Sequence, residues 1–549
     1  MAEISTADHS VSPPRVRIPR SYNAAHDLLE RNLGAGRGER IAYVDDRGSC
    51  TYAELARRVN RFASSLAGLG LRREERVLLC MLDTIDWPVA FLGAIKAGIV
   101  PVAVNTMLRP QDYEYMLRDS RAAALLVSQA LLPSFEDAID SIPSLRSVVV
   151  SAAPGSKAAD AGGKRVDFDA LLAGGRDDFE CADTVADEPC FWLYSSGSTG
   201  SPKGTVHVHS SLIETAELYA RPVLGIREDD IVFSAAKLFF AYGLGNGLTF
   251  PLSVGATCVL MAERPTPEAV FQRLTGEAPA ALAAMGKRPT IFYGVPTLYA
   301  GMLANAGFPA ASQLSLRVAT SAGEALPKGI GTGFTERTNV EILDGIGSTE
   351  MLHIFLSNQS GKVRYGTTGK PVPGYTLKLV GDDGHEVGDG EVGDLYISGP
   401  SSAAQYWNQR EKTRDTFQGI WTRSGDKYQR DADGYYTYAG RSDDMMKVSG
   451  QYVSPFEVES AVASHPMVLE AAVVGSRDAD GLLKPKAFVV LKEPSRATDA
   501  LAQEIKAFVK DRLVPFKYPR WVEFVDELPK TATGKIQRYR LRDREDFTG

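Results

Sequence analysis

Cysteine is scarce in this chain: five residues in 549, at positions 50, 80, 181, 190 and 258. The number is odd, no two form a CxxC pair, and no histidine stands at zinc-site spacing. A disulfide framework and a structural zinc site are therefore not read, and a reduced cytoplasmic compartment is expected. Long apolar runs are lacking too. The most apolar stretch, Val89 to Val104, is interrupted by Lys96 and Pro101 and is too short to span a bilayer. Residues 1 to about 20 carry Pro13, Pro14 and scattered charges without an apolar core, so no signal peptide is evident and a flexible arm is expected. There is no basic excess: 61 Lys+Arg against 68 Asp+Glu give a net charge of −7, which argues against general nucleic-acid binding. Any anionic ligand must be held by local groups. No internal repeat is evident.

What is present is ordinary soluble composition, 44% hydrophobic and 23% charged, in a chain too long for one core. Thr51 with Glu54 three residues later reads as a capping box, and Leu55, Val59, Phe62, Leu66 and Leu69 follow at helical spacing. Glu75 to Leu82 reads as a strand and Trp87 to Ala97 as a helix, the alternation of parallel βαβ units. Short strands are expected at Ile231–Phe233, Ala256–Leu260, Thr290–Gly294, Leu316–Ser321 and Val340–Asp344. From Tyr375 to Tyr438, strand-like runs separated by Gly/Asp turns suggest an antiparallel sheet or small barrel. The expected fold is α/β: a large N-terminal domain of parallel α/β layers with a small β-barrel-like subdomain, residues 1–442, then a small mobile α+β domain, residues 443–549.

One stretch organises the rest. The apolar run Phe191 to Tyr194 ends in Ser195-Ser196-Gly197-Ser198-Thr199-Gly200-Ser201-Pro202-Lys203-Gly204. Glycines let backbone N–H groups approach a ligand closely, and hydroxyls and a lysine converge on the same volume, which suits a polyphosphate. It is not a Walker A loop, because Lys203 is followed by Gly204 rather than Ser or Thr. Taken alone, such a loop also reads as a surface connection. Ser321-Ala322-Gly323-Glu324-Ala325 places a glycine at the carboxyl end of a strand, where open α/β sheets bind ligands. In Asp344-Gly345-Ile346-Gly347-Ser348-Thr349-Glu350 a hydroxyl stands beside a carboxylate after a glycine turn. That pair suits a phosphoryl oxygen with its Mg²⁺, and equally a helix N-cap.

The Ser195–Gly204 string resembles the phosphate-binding loop of the adenylate-forming superfamily, which comprises acyl-CoA synthetases, peptide-synthetase adenylation domains and firefly-type luciferases. The resemblance runs through most of the chain and implies a set of roles. Ser195, Ser196, Gly197, Ser198, Thr199, Gly200 and Lys203 would hold the phosphates of ATP, with Gly323, Glu324 and Ala325 along the adenine. Asp344, Gly345, Ile346, Gly347 and Ser348 would line the nucleotide, Thr349 would meet the phosphate and acyl carboxylate, and Glu350 would hold Mg²⁺. Trp421-Thr422-Arg423-Ser424-Gly425-Asp426 resembles the motif whose aspartate accepts both ribose hydroxyls, with Arg441 as companion to Asp426. Lys535, in Pro529-Lys530-Thr531-Ala532-Thr533-Gly534-Lys535, would lie over the reacting carboxylate and α-phosphate. Asp443 would be a hinge, and Lys447 with Gly450, Gln451 and Tyr452 would face the second half-reaction with CoA. The commonest form of that last motif is Gly-Glu-Asn, from which Gln451 and Tyr452 depart.

For the acyl group, the Lys237–Asn246 and Met351–Phe355 segments look like those of benzoate-CoA ligases. The second would start a helix beside the carboxylate site. Phe240, Ala241, Tyr242, Gly347, Leu352, His353, Ile354 and Lys447 would then line a short slot for a flat ring, although core packing reads equally well from periodicity. His353 also reads as a hydrogen-bonded wall histidine. The resemblance implies an ATP-dependent ligase that converts benzoate or a close aryl carboxylate to its CoA thioester through an acyl-adenylate. The alternative is a stand-alone adenylation enzyme passing another aryl or medium-chain acid to a carrier protein. A luciferase-like oxygenase and a non-catalytic nucleotide binder complete the set. Expected partners are the aryl acid, ATP and CoA, without nucleic acid or membrane, and a homodimer is allowed for.

Overall fold

The computed structural model describes residues 3–152, 163–195, 202–442, 444–448, 451–478, 481–530 and 536–546, with backbone alone for Lys447, Gln451, Tyr452 and 543–546. The chain divides into two compact units, one of residues 1–376 and 397–422 and the other of residues 377–396 and 423–549.

Two large sheets build the first unit. The eight-stranded one runs in the order Gln405–Tyr406, Lys203–Val208, Pro189–Ser195, Val100–Ala103, Arg76–Cys80, Ala124–Ser128, Ser147–Ser151, Arg165–Asp167. From Pro189–Ser195 onward its strands are parallel, while Lys203–Val208 and Gln405–Tyr406 join antiparallel at one edge. Every residue of Ala124–Ser128 and Ser147–Ser151 is buried, as continuous apolar strands covered on both faces must be. The nine-stranded sheet has a parallel interior that includes Ile231–Ser234, Ile291–Gly294, Val318–Ser321 and Ile342–Gly347. Antiparallel strands close both its ends. The layers are therefore mixed, not wholly parallel: antiparallel strands finish one edge of the first sheet and both edges of the second.

The helix Tyr52–Gly68 starts at the expected capping box: Thr51 Oγ1 accepts from Glu54 N, and Glu54 accepts from Thr51 N. Its Leu55, Val59, Phe62 and Leu66 are buried.

Two expectations are corrected. Residues 3–20 are not a free arm: Thr6–Asp8 pairs antiparallel with Arg15–Arg17. The cause is Asp27, a fully buried carboxylate that needs partners. Ser5 Oγ donates to it at 2.6 Å, Tyr22 at 2.7 Å and Arg31 Nη2 at 2.8 Å. Met351–Phe355 does not begin a helix. Leu352 sits at φ +65° after a turn, and Ile354–Ser357 returns as a strand antiparallel to Ile342–Gly347. Ile354, Phe355 and Leu356 are β-branched or buried apolar side chains that suit a covered strand better than a helix start.

The second unit holds most of a sheet ordered Thr376–Val380, Val392–Ser398, Trp421–Arg430, with Tyr436–Arg441 antiparallel to the last. Beyond it, Val468–Arg477 and Leu483–Leu491 pair antiparallel and Trp521–Phe524 adds parallel. The helices Pro455–Ala463 and Asp499–Lys510 contribute Val458, Val462, Ile505 and Val509 to a core with Val473, Ala487 and Val489. None of the five cysteines forms a disulfide. Among the described residues no helix is long and apolar enough to cross a membrane.

Candidate active site

Ser195 and Lys203 are Cα partners at the ends of two antiparallel strands, so the loop between them leaves and re-enters the sheet edge at one point. Ser196, Gly197, Ser198, Thr199, Gly200 and Ser201 lie outside the described residues. Strand alternation puts Lys203, Thr205 and His207 on one face of Lys203–Val208. On that face Thr205 pairs with Tyr406 of the edge strand. The Lys203 ammonium stands 4.4 Å from the centroid of the Tyr406 ring.

This face meets the Thr349–Glu350 turn, which is held at several points. His207 Nε2 lies 2.7 Å from the Thr349 carbonyl, so that nitrogen carries the proton and donates. Burial pushes the His207 imidazole down to about 4, against the hydrogen bond to Thr349, and keeps it neutral near pH 7. Leu352 N also donates to Thr349 O, and Ala403 N donates to Glu350 O at 2.8 Å. The Tyr406 hydroxyl donates to Glu350 Oε1 at 2.7 Å. Glu350 Oε2 accepts no hydrogen bond among the described residues. Among the same residues no group of three His, Cys, Asp or Glu side chains is arranged to cage a metal ion.

The neighbouring parallel strands carry the other predicted segments. Gly323, Glu324 and Ala325 follow the carboxyl end of Val318–Ser321, with Gly323 exposed. Ser321 pairs with Asp344 on the next strand. Asp344 is buried, which pushes its carboxyl well above the usual range against the pull of the Leu326 and Gly345 N–H groups, and its Oδ1 has no hydrogen-bond partner among the described residues. Ile346, Gly347 and Ser348 are half-buried, and Ser348 Oγ accepts from Met351 N at 3.2 Å.

The two apolar segments come together here. The Tyr242 hydroxyl shares a 2.5 Å hydrogen bond with Thr320 Oγ1, one residue before Ser321. Its ring lies 5.6 Å from that of His353, which also packs on Phe250 at 4.5 Å and Tyr219 at 5.2 Å. His353 Nε2 is 3.2 Å from both Tyr242 O and Asn246 Oδ1, two acceptors that fix the proton on that nitrogen. Burial pushes His353 down to about 3, so it is a neutral wall residue. A side chain on Gly245 would lie 2.4 Å from His353 Cδ2, so glycine there leaves room for the imidazole, and one on Gly347 would lie 2.5 Å from the His353 backbone carbonyl. Leu352 and Ile354 are buried, while Phe240, Ala241 and Tyr242 are half-buried.

In the second unit, Asp426 and Arg441 are opposed across an antiparallel pair, and Arg441 Nη1 donates to Asp426 Oδ1 at 3.2 Å. Lys447 lies on the strand Met446–Val448, paired with Gln451–Val453, so Lys447 opposes Tyr452. Asp443, Gly450 and Lys535 lie outside the described residues. Asp444 is bonded by Arg542 Nη1 at 2.7 Å.

Sequence reasoning missed His207, Tyr406, Tyr219 and Asp83. The period-two pattern Lys203, Thr205, His207 was the available signal for the first. Asp83 accepts from Leu238 N with both oxygens, at 3.3 and 3.2 Å, and so holds the start of the Phe239–Tyr242 wall. Burial raises its carboxyl to about 6, against the pull of Lys237.

Comparison with known proteins supplies the family. Residues 29–407 match the model of AMP-binding enzymes, and residues 457–535 match the AMP-binding enzyme C-terminal domain. A benzoate–CoA ligase of Thauera aromatica is 61% identical over 99% of this chain and 100% of its own. A 4-hydroxybenzoate–CoA/benzoate–CoA ligase of Rhodopseudomonas palustris is 49% identical over 95% of this chain and 94% of its own. The crystal structure of a benzoate CoA ligase from Burkholderia xenovorans LB400, 56% identical, superposes with a TM-score of 0.85 over 95% of this chain and 100% of that one. With both family domains matched in order and relatives aligned along its whole length, the chain belongs to the AMP-binding, adenylate-forming enzyme superfamily.

Proposed function

We propose that this chain is a benzoate–CoA ligase: benzoate and ATP give benzoyl-adenylate and pyrophosphate, and the CoA thiol then displaces AMP. The full-length likeness to a benzoate–CoA ligase carries the choice of acid. The wall made by Tyr242 and His353 agrees with it. Two rings locked by hydrogen bonds to Thr320 and Asn246 suit a short flat acid and leave little give for an alkyl chain.

In the first step a carboxylate oxygen of benzoate attacks the α-phosphorus and the bond to the β-phosphate breaks. The loop from Ser195 to Gly200 and Lys203 hold the phosphates; Gly323, Glu324, Ala325 and the Asp344–Ser348 strand end bind the adenine side. Asp426, with Arg441, takes the ribose hydroxyls, since a carboxylate offers two acceptor oxygens. Thr349 bonds phosphate and acyl carboxylate. Phe240, Ala241, Tyr242, Gly347, Leu352, His353, Ile354 and Lys447 surround the ring and its carboxylate. Glu350 suits Mg²⁺: one carboxylate oxygen without a hydrogen bond among the described residues fits an ion that keeps water and phosphate oxygens as ligands. When bound, that ion neutralises phosphate charge. Lys535 stabilises charge at the α-phosphorus, worth about 4 kcal/mol for a cation at roughly 4 Å and an effective dielectric near 20. Asp443 is the hinge between residues 1–442 and 443–549, and Lys447, Gly450, Gln451 and Tyr452 serve the CoA step. A cytoplasmic location belongs to the same proposal, and sedimentation velocity decides between a monomer and a homodimer.

A pyrophosphate-release screen over benzoate, hydroxybenzoates, cinnamates and C4 to C12 fatty acids, with and without CoA, tests the assignment. Benzoate should be the best substrate, and CoA should be consumed. Preference for a fatty acid, or acyl transfer to a carrier protein but not to CoA, would replace it. An apolar pocket rejects a small added group by only about 1–3 kcal/mol, so slow turnover of a hydroxybenzoate is expected.

A further inference from the structure

We infer that Tyr406 is the positioning residue that sets Glu350 and Lys203 for the metal–nucleotide complex. The inference rests on the proposed roles of those two residues. Tyr406 is 3% exposed and sits on the edge strand Gln405–Tyr406, whose register against Thr205 places its ring beside Lys203. One side chain thus serves two charges. Its hydroxyl donates to Glu350 Oε1 at 2.7 Å, and its ring face lies under the Lys203 ammonium at 4.4 Å. A cation over an aromatic face is attracted to it. A phenol that donates to a carboxylate selects one rotamer and leaves the other oxygen, Oε2, for a cation. Tyr406 is itself fixed: Phe417 packs on its ring at 5.3 Å, and Thr413 Oγ1 accepts from its backbone N at 3.1 Å. Glu350 has no second donor to its carboxylate among the described residues, so nothing else there orients it. The Thr349–Glu350 backbone is held separately, by His207 and Ala403 N. Removing the phenol oxygen therefore frees the carboxylate without freeing the turn.

The test is equilibrium binding of Mn²⁺, as the probe for the divalent site, by electron paramagnetic resonance on the full chain saturated with α,β-methylene-ATP. Four proteins are compared: the parent, Y406F, E350Q and the double variant. Y406F keeps the ring and its packing on Phe417, so a thermal melt within a few degrees of the parent is expected. Mn²⁺ affinity should fall about tenfold, the scale of one hydrogen bond to a charged group. Metal-free AMP affinity should be unchanged. In the E350Q background Y406F should add less than twofold, because its effect passes through Glu350. Unchanged Mn²⁺ affinity in Y406F, or an effect that adds fully to that of E350Q, would overturn the proposal. If E350Q itself leaves Mn²⁺ affinity intact, the metal role of Glu350 falls first; if E350Q weakens it and Y406F does not, only the role of Tyr406 falls. Should Y406F melt far below the parent, the same affinity comparison is made at a temperature at which both proteins are folded, and it decides.

Discussion

At the scale of single residues, the site depends on neutral buried histidines as much as on its charges. His207 holds the Thr349 carbonyl with Nε2, and burial lowers its pKa from 6.5 to about 4. A group whose folded pKa is depressed binds its proton more readily in the unfolded chain. The stability tied to its neutral form is complete above about pH 6.5 and is lost as pH falls toward 4, at about 1.4 kcal/mol per unit. The variant H207Q keeps an N–H donor for Thr349 but cannot take up that proton. Urea-unfolding curves at pH 7 and pH 4.5 should therefore show the gap between parent and variant shifting by about 3 kcal/mol in favour of H207Q at the lower pH. Parallel behaviour at both pH values would mean that His207 is not held neutral by the fold. The difference between variants is the proper readout, because Asp83, raised to about 6, pulls the absolute curve the other way.

Some of these residues were legible and others were not, for physical reasons. Thr349, Glu350, Asp426 and Arg441 were singled out by resemblance to family motifs, because their strings alone read equally well as caps and turns; the structure places Asp426 opposite Arg441. Tyr406 was invisible. Its partners Glu350 and Lys203 lie 56 and 203 positions away, and nothing local in Gln405-Tyr406-Trp407 distinguishes a site tyrosine from a packing one.

At the scale of elements, local chemistry decided the outcome wherever it was strong. The Thr51 capping box started its helix at the expected residue. The apolar run after Glu350 was read as a helix because periodicity cannot separate a short buried helix from a strand. Leu352 at φ +65° and the ladder to Gly345–Gly347 decided it as a hairpin return. The amino-terminal ribbon failed to show for another reason: what pins it is Asp27, a buried partner that lies outside the segment.

At the start of the helix Arg538–Asp546, Arg538 makes a two-point pair with Glu459, Nε at 2.9 Å and Nη2 at 2.7 Å, while Glu459 Oε1 also accepts from Val473 N. Burial pulls the Arg538 guanidinium down, and the Glu459 charge overcomes it and holds the pKa above the ordinary arginine value. Removing Glu459 leaves the Arg538 guanidinium, among the described residues, only the longer contact to Asp444 Oδ2 at 3.8 Å and leaves Val473 N without its acceptor. E459A should therefore cost about 2–3 kcal/mol of stability in the second unit, seen as a lowered melting transition. The double variant E459L/R538M should recover much of the loss. A melt of E459A equal to that of the parent would contradict the importance of this tie.

At the scale of the whole molecule, two units supply different parts of one proposed chemistry. The first carries the phosphate loop, the Thr349–Glu350 turn and the aromatic wall; the second carries Asp426, Arg441 and the segments that contain Lys447 and Lys535. If the two half-reactions use different residues of residues 443–549, a single substitution should separate them. The decisive measurement is benzoate-dependent ATP–pyrophosphate exchange without CoA, run beside thioester formation from supplied benzoyl-adenylate and CoA, for the parent chain and K535A. The account predicts that the parent catalyses both, and that K535A loses exchange by about a thousandfold, the scale of a cation worth roughly 4 kcal/mol, while thioester formation stays close to the parent rate. Absence of benzoate-dependent exchange in the parent, or equal loss of both activities in K535A, would contradict it.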